Sequence, residues 1–258
     1  MDTYMLVDAD SIFFKIAYRP KSKYNLRVEF DKFCKEMELQ VRNKLHNDFG
    51  EGEFIVKYAV KGKGNFRKDL YSQYKATRPE IDPEIRDRLN YLYKHSVDKW
   101  GAVPADGMEA DDLVSIWAYE ARDLEAQYII CGIDKDLKQI PGNHYNYNKN
   151  SWDFITDKQG YKLLMTQALT GDNSDNIPGI KGIGPKKAEK LLEGKVGLWN
   201  EVKKAWTDAG MNVWEAKRTL QLLTMLKTWK EFEDVKAQIS SKAPISKPDD
   251  VSEQVDKE

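Results

Sequence analysis

Tyr4-Met5-Leu6-Val7-Asp8-Ala9-Asp10 and Tyr128-Ile129-Ile130-Cys131-Gly132-Ile133-Asp134 share one design: a short apolar run that ends on carboxylates. Each reads as a buried strand with an aspartate at its carboxyl end. Between them, helical spacing is expected from about Val28 to Leu45, a second strand over Phe54 to Val60, and a helix from Pro83 to about Trp100 with proline in its first turn. Gly107-Met108-Glu109 opens a further helix whose apolar face carries Leu113, Ile116, Trp117 and Ala121. Strands alternating with helices predict an α/β fold with a mainly parallel central sheet flanked by helices, which binds ligands beyond the carboxyl ends of its strands. Asp8 and Asp134 both sit at such ends, so two distant motifs are expected to meet in one crevice.

From about residue 160 the pattern turns helical: Tyr161 to Leu169, Gly179 to Leu192, and helices near Gly197–Ala209 and Val213–Trp229. The expected organisation is an α/β core over residues 1–160, with a basic segment at about 61–100 that starts flexibly at Lys61-Gly62-Lys63-Gly64. A helical region over 161–239 follows, then a disordered tail over 240–258, poor in large apolar residues. With 41% hydrophobic, 32% charged and 11% aromatic residues, the 258-residue chain has the composition of a soluble globular protein. No apolar run approaches the roughly 20 residues that span a bilayer, and the N-terminus does not read as a signal peptide. Cys34 and Cys131 stand far apart, and His46, His95 and His144 are isolated. That pattern suits a reducing, cytoplasmic setting and argues against zinc.

The net charge of -1 conceals segregation. Between Lys57 and Arg78, seven cations face Asp69 alone, a local excess of +6. Phe66-Arg67-Lys68-Asp69-Leu70-Tyr71-Ser72-Gln73-Tyr74-Lys75-Ala76-Thr77-Arg78 interleaves cations with aromatics. Read as a helix, it sets Lys75 and Arg78 toward one phosphate, with Tyr74 or Phe66 free to stack on a nucleobase. The competing reading is a solvated amphipathic helix. Lys63-Gly64 lacks the Gly-Lys-Ser/Thr ending of a P-loop.

Acidic motifs recur: Glu109-Ala110-Asp111-Asp112, Asp134-Lys135-Asp136 and Asp172-Asn173-Ser174-Asp175, with Asp8 upstream. Glu109 and Asp112, three apart, share a helix face, and extended geometry would put Asp134 and Asp136 on one side. Two carboxylates about 4 Å apart repel by roughly 4 kcal/mol at an effective dielectric of 20, so several packed together need a cation. All-oxygen donors suit Mg²⁺ or Mn²⁺, and two such ions can flank a scissile phosphate. Taken singly, each motif also reads as a helix-dipole or turn carboxylate.

Gly179-Ile180-Lys181-Gly182-Ile183-Gly184-Pro185-Lys186-Lys187-Ala188 reads as a tight turn opening a helix. Gly182 and Gly184 would let the backbone approach a phosphate, and Lys181, Lys186 and Lys187 add charge without base recognition. This is the pattern of a helix-hairpin-helix backbone binder over 179–192. A dinucleotide-binding glycine motif is not matched, since Lys187 occupies its third glycine position.

These segments together resemble the 5′-nuclease superfamily: flap endonucleases, the 5′-3′ exonuclease domains of bacterial DNA polymerase I, and phage 5′-exonucleases, the last most like this chain in size. The resemblance rests on Leu6-Val7-Asp8, Phe66-Arg67, Tyr74-Lys75-Ala76-Thr77-Arg78, Glu109-Ala110-Asp111-Asp112, Asp134-Lys135-Asp136-Leu137 and Leu169 to Gly184, in the family's order. It implies a PIN-like 5′-nuclease fold with a helical arch and a C-terminal helix-hairpin-helix region. It also implies two metal clusters, Asp8 with Glu109, Asp111 and Asp112, and Asp134 with Asp136, Asp172 and Asp175. Lys75 and Arg78 fall on the family's catalytic cationic pair, and Arg67, Tyr74, Lys181, Gly182, Gly184, Lys186 and Lys187 would bind DNA. The implied reaction is in-line attack by metal-activated water, by a monomer, on DNA with a 5′ end, flap or gap, with RNA–DNA hybrid as a further substrate. Alternatives are a catalytically weak flap- or junction-binding protein and a toxin-type metal-dependent ribonuclease. One position departs from the family: Val60 stands where an aspartate is usual, seven residues before Arg67, and Asp10 is expected to compensate in part.

Overall fold

The structure, a computed structural model, describes residues 1–20, 25–45 and 52–241. The expected tail therefore lies, from residue 242 onward, outside the described residues, and so does His46. The chain forms two compact units. Among the described residues, the first takes 1–20, 25–45, 52–65, 80–155 and 226–229, and the second takes 66–79, 156–225 and 230–241.

The first unit is built on a six-stranded sheet. Its strands are β1 (Thr3–Asp8), β2 (Phe54–Lys61), β3 (Val103–Ala105), β4 (Gln127–Cys131), β5 (Gly142–Asn146) and β6 (Ser151–Ile155), in the order β3-β2-β1-β4-β5-β6. All neighbours run parallel except β6, which returns antiparallel along β5. β1 lies in the middle and is buried from Met5 to Val7, as the unbroken apolar run required. Around it pack helices α1 (Asp10–Ala17), α2 (Leu26–Leu45), α4 (Pro83–Trp100) and α5 (Ala110–Asp123). The core joins Met5, Val7, Ile12, Phe30, Tyr58 and Leu92. Asp82 caps α4 by accepting from the Glu84 and Ile85 amides, which fixes its start beside the proline.

The second unit is helical. It holds α3 (Phe66–Leu70), α6 (Asp157–Thr170), α7 (Pro185–Leu192), α8 (Leu198–Asp208), α9 (Val213–Leu223) and most of α10 (Trp229–Ser241), with a two-residue ladder of β7 (Gly171–Asp172) and β8 (Ile177–Pro178). Leu169, Ala188, Leu192, Val202 and Trp206 form its core.

Four expectations need correction. The helix expected over Val213–Trp229 stops at Leu223, because Thr224 turns extended at ψ 128° and the chain restarts as α10 at Trp229. The helix expected through Arg78 ends at Leu70; turns follow, with Lys75 in the left-handed region at φ 58°. The start at Gly62 to Gly64 is tied down rather than loose: Lys63 donates its amide to Asp106 at 2.7 Å, and Gly107 donates to the Lys63 carbonyl at 2.7 Å. Asp134 and Asp136 do not share an extended strand end, since Lys135 is helical and Asp136 starts a 3₁₀ turn, Asp136–Gln139.

Candidate active site

In the first unit, acidic side chains gather beyond the carboxyl ends of β1 and β4, adjacent strands in parallel register with Val7 opposite Cys131. Asp8 ends β1 and is only 5% exposed. Burial, and then the charges of Asp10 and Asp134, push its carboxyl up to about 7. Asp111, in the first turn of α5, is raised well above the ordinary value by burial and then by Asp8, Asp134, Glu109 and Asp112. Asp8, Asp111 and Asp134 thus share one electrostatic neighbourhood, with Asp10 acting on Asp8 and with Glu109 and Asp112 acting on Asp111. Gly132 makes room for Leu137 beside Asp8: a Cβ there would lie 2.2 Å from Leu137 Cδ1 and 3.7 Å from Asp8 Cβ.

Asp8 is oriented from both sides. Oδ1 accepts from the Asp10 amide at 3.1 Å, and Oδ2 accepts from Ser11 Oγ at 2.7 Å. Burial and then the Asp8 charge hold the Tyr147 phenol well above its usual value. Asp10 accepts from the Lys61 amide at 3.1 Å, which sets its carboxylate against the end of β2, next to Val60. Val60 itself is fully buried in the core.

Asp112 differs from its neighbour. It is 0% exposed; Oδ2 accepts from the Glu109 amide at 3.0 Å and Oδ1 from the Leu226 amide at 3.1 Å. Both oxygens accept from backbone donors, so Asp112 caps α5 and ties it to the Leu226 amide, and each oxygen keeps a lone pair. Glu109 Oε1 accepts from Asn65 at 3.0 Å. Asp134 is exposed and accepts from the Asp136 amide at 2.9 Å, while Asp136 lies 3.9 Å from Lys135 Nζ.

The second expected cluster divides between the units: Asp134 and Asp136 belong to the first, Asp172 and Asp175 to the second. Asp172 is buried and accepts from the Ser174 amide at 2.7 Å and the Asp175 amide at 3.3 Å, the pattern of a turn carboxylate. Asp175 gathers the basic segment. Tyr74 Oη donates to it at 3.0 Å, Arg78 Nη2 at 2.5 Å, and Lys75 Nζ lies 3.6 Å away. Lys75 and Arg78 do converge, but on a carboxylate and from turns.

Two residues expected at DNA are core residues instead. Arg67 is 3% exposed and donates to the carbonyls of Leu222 at 2.7 Å and Thr224 at 2.8 Å, closing the end of α9. Tyr74, also 3% exposed, packs with Ile177, Leu222 and Leu223, so its ring is not offered to a base, and Phe66 is equally buried. Spacing alone carries no sign of this, because a buried cation that caps a helix looks like any surface cation. Lys181, Gly182, Gly184, Lys186 and Lys187 are all exposed. Gly182 adopts φ +84°, a Cβ there or at Gly184 would meet nothing within 4 Å, and Gly184 caps α7. The hairpin backbone is therefore open to approach.

Among the described residues, no three His, Cys, Asp or Glu side chains stand close enough together to enclose an ion as placed. The donor set nonetheless fits a hard divalent cation: it is all carboxylate, buried enough to be mutually destabilised, and Mg²⁺ keeps several waters while using one or two direct carboxylates. His95 instead bonds Asp31 at 2.7 Å and His144 the Ile140 carbonyl at 2.8 Å; Cys34 and Cys131 are buried free thiols. No helix among the described residues is long and apolar enough to cross a membrane.

Comparison with known proteins matches residues 3–166 to the family described as 5′-3′ exonuclease, N-terminal resolvase-like domain, and residues 159–251 to 5′-3′ exonuclease, C-terminal SAM fold. A DNA polymerase I of Rhizobium leguminosarum is 32% identical over 179 residues, 62% of this chain but 17% of the polymerase. A 5′-3′ exonuclease of Mycoplasma pneumoniae is 30% identical over 223 residues, 75% of this chain and 72% of that protein. The chain thus spans less than a fifth of the polymerase it matches. The flap endonuclease of bacteriophage T5, solved with DNA and metal ions, shares the fold at TM-score 0.61 and 16% identity, over 93% of this chain and 92% of that one.

Proposed function

From the premise that this chain belongs to the 5′-3′ exonuclease family, we propose that it is a divalent-metal-dependent nuclease hydrolysing phosphodiester bonds near 5′ ends. The observation that carries this reading is the placement of Asp8, Asp111 and Asp134 beyond β1 and β4, where burial and then the charges of Asp10 and Asp134 raise Asp8 to about 7 and Asp8 and Asp134 in turn raise Asp111. Such a group demands a positive charge. Asp8, Asp111, Asp134 and Glu109 are the residues that would hold Mg²⁺ or Mn²⁺, with Asp10 supplying the charge that Val60 does not. A bound divalent ion supplies Lewis-acid activation of water and neutralises charge at the phosphate; two ions are the proposed complement. Lys75 and Arg78 stabilise the charge that develops on the phosphate once released from Asp175. The open hairpin at Gly182 and Gly184, with Lys181, Lys186 and Lys187, holds the DNA backbone. The proposed substrates are DNA flaps, gaps and free 5′ ends, with RNA–DNA hybrid as a further one, and the protein acts as a cytoplasmic monomer.

A second reading, a catalytically weak flap- or junction-binding protein, is favoured by the engagement of both proposed catalytic cations with Asp175. Cleavage of 5′-labelled flap, blunt duplex, gapped DNA, RNA–DNA hybrid and single-stranded RNA, each with Mg²⁺ or EDTA, separates the readings. Mg²⁺-dependent release near the 5′ end is expected. Tight flap binding without cutting selects the second reading, and cleavage of single-stranded RNA alone overturns both.

A further inference from the structure

Each Asp8 carboxylate oxygen has one protein donor, and the donor to Oδ2, Ser11 Oγ, is itself in contact with a second hydroxyl. Ser11 Oγ lies 2.5 Å from Tyr147 Oη and 3.2 Å from the Asp8 carbonyl. For the ionised Asp8 that would hold a cation, proton counting fixes the direction. A carboxylate and a carbonyl only accept, and serine carries a single hydroxyl proton, which goes to Asp8. Tyr147 must then be the donor in its contact with Ser11, giving Tyr147 Oη–H to Ser11 Oγ–H to Asp8.

The far end of this chain is fixed by packing. Tyr147 is 8% exposed and meets the Phe33 ring edge-on at 5.2 Å and 86°, while Lys15 Nζ lies 6.0 Å from its ring centre. Tyr147 sits in the turn after β5, whereas Ser11 and Asp8 come from the β1–α1 junction, so the relay ties the end of β1 to a turn 136 residues away. A rigid, buried phenol thus aims a serine, and the serine aims a carboxylate.

We propose that Ser11 and Tyr147 are positioning residues for the metal carboxylate Asp8, Tyr147 acting only through Ser11. The inference rests on the nuclease reading above. One lone pair on each Asp8 oxygen is taken by a protein donor, which leaves a second on each to meet a cation. Partners of this outer kind are typically worth about 10–100-fold in metal affinity.

The test is Mn²⁺ titration of wild type, Ser11→Ala, Ser11→Thr, Tyr147→Phe and the double variant Ser11→Ala/Tyr147→Phe, reading free Mn²⁺ by electron paramagnetic resonance. Thermal unfolding in EDTA serves as the control for folding. Ser11→Ala is expected to weaken binding by roughly tenfold or more and Tyr147→Phe by a few-fold. The double variant should be no weaker than Ser11→Ala, and Ser11→Thr should restore affinity. Cleavage of a 5′ flap by Ser11→Ala should recover at saturating Mn²⁺, which a loosened fold would not do. Binding within twofold of wild type in both single variants, or additive losses in the double, overturns the relay and leaves the nuclease reading intact. A wild-type protein that neither binds Mn²⁺ nor cleaves overturns that reading, and the relay with it.

Discussion

Asp111 and Asp112 are chemically identical neighbours with opposite surroundings. Asp112 satisfies two backbone amides from full burial, so Asp112→Ala leaves the Glu109 and Leu226 N–H groups without it. The expected loss is about 2–4 kcal/mol, the same with or without metal. The charges that act on Asp111, from Asp8, Asp134, Glu109 and Asp112, all raise it. Asp111→Asn should therefore stabilise the metal-free protein while blunting its response to Mg²⁺. Urea unfolding in EDTA and in Mg²⁺ reads both, and a matching loss from the two substitutions would contradict the assignment. Asp31 offers a pH test. Burial would raise it, but hydrogen bonds from Lys99, Trp100 and His95 bring it down from 3.8 to about 2. A depressed folded-state value stabilises above the unfolded value and is lost as pH falls through the folded one. Asp31→Asn should cost roughly 1–2 kcal/mol at pH 7, a gap that closes between about pH 4 and pH 2 in acid titrations of stability.

At the scale of elements, the segment from Phe66 to Pro79 is held by its ends. Arg67 closes the carboxyl end of α9, and the turn from Tyr74 to Arg78 is clasped to Asp175. Arg67→Ala should cost about 1–3 kcal/mol by leaving two carbonyls without their charged donor, and should leave hairpin-mediated DNA affinity nearly unchanged. Differential scanning calorimetry beside fluorescence anisotropy would show which role dominates. Lys75→Ala should slow single-turnover cleavage of a pre-bound flap far more than it weakens binding; an unchanged rate removes Lys75 from the chemistry. What was legible in the sequence follows from what burial imprints on it. β1 and β4 are apolar runs because both their faces are covered, and α4 announces itself by Asp82 and Pro83. β6 (Ser151–Ile155) is the edge strand with no buried residue, and β5 (Gly142–Asn146) beside it buries only His144 and Tyr145, so no buried apolar run marks either. α1 follows β1 after a single residue, without a side-chain cap at its N-terminus to signal it. The acidic motifs were legible as a set, but no spacing rule tells a carboxylate that caps a helix from one that repels its neighbours.

For the molecule as a whole, the proposed metal site would make stability a function of the divalent cation. Ligand present at about 100 times its dissociation constant adds roughly 2.7 kcal/mol, so Mg²⁺ should raise the melting temperature and EDTA reverse it. A melting curve indifferent to both would remove the cation from the site. The family descriptions run in sequence, residues 3–166 and then 159–251, whereas the compact units interleave along the chain. The backbone passes from one unit to the other after residues 65, 79, 155, 225 and 229. Residues 226–229 bring the first unit the amide that Asp112 accepts. It follows that no single scission yields two autonomous fragments. A protein split near residue 155 would give halves that each lack a strip of their own core, and activity would return only through fragment complementation, which makes the Ile155–Thr156 junction a natural place to engineer a split reporter.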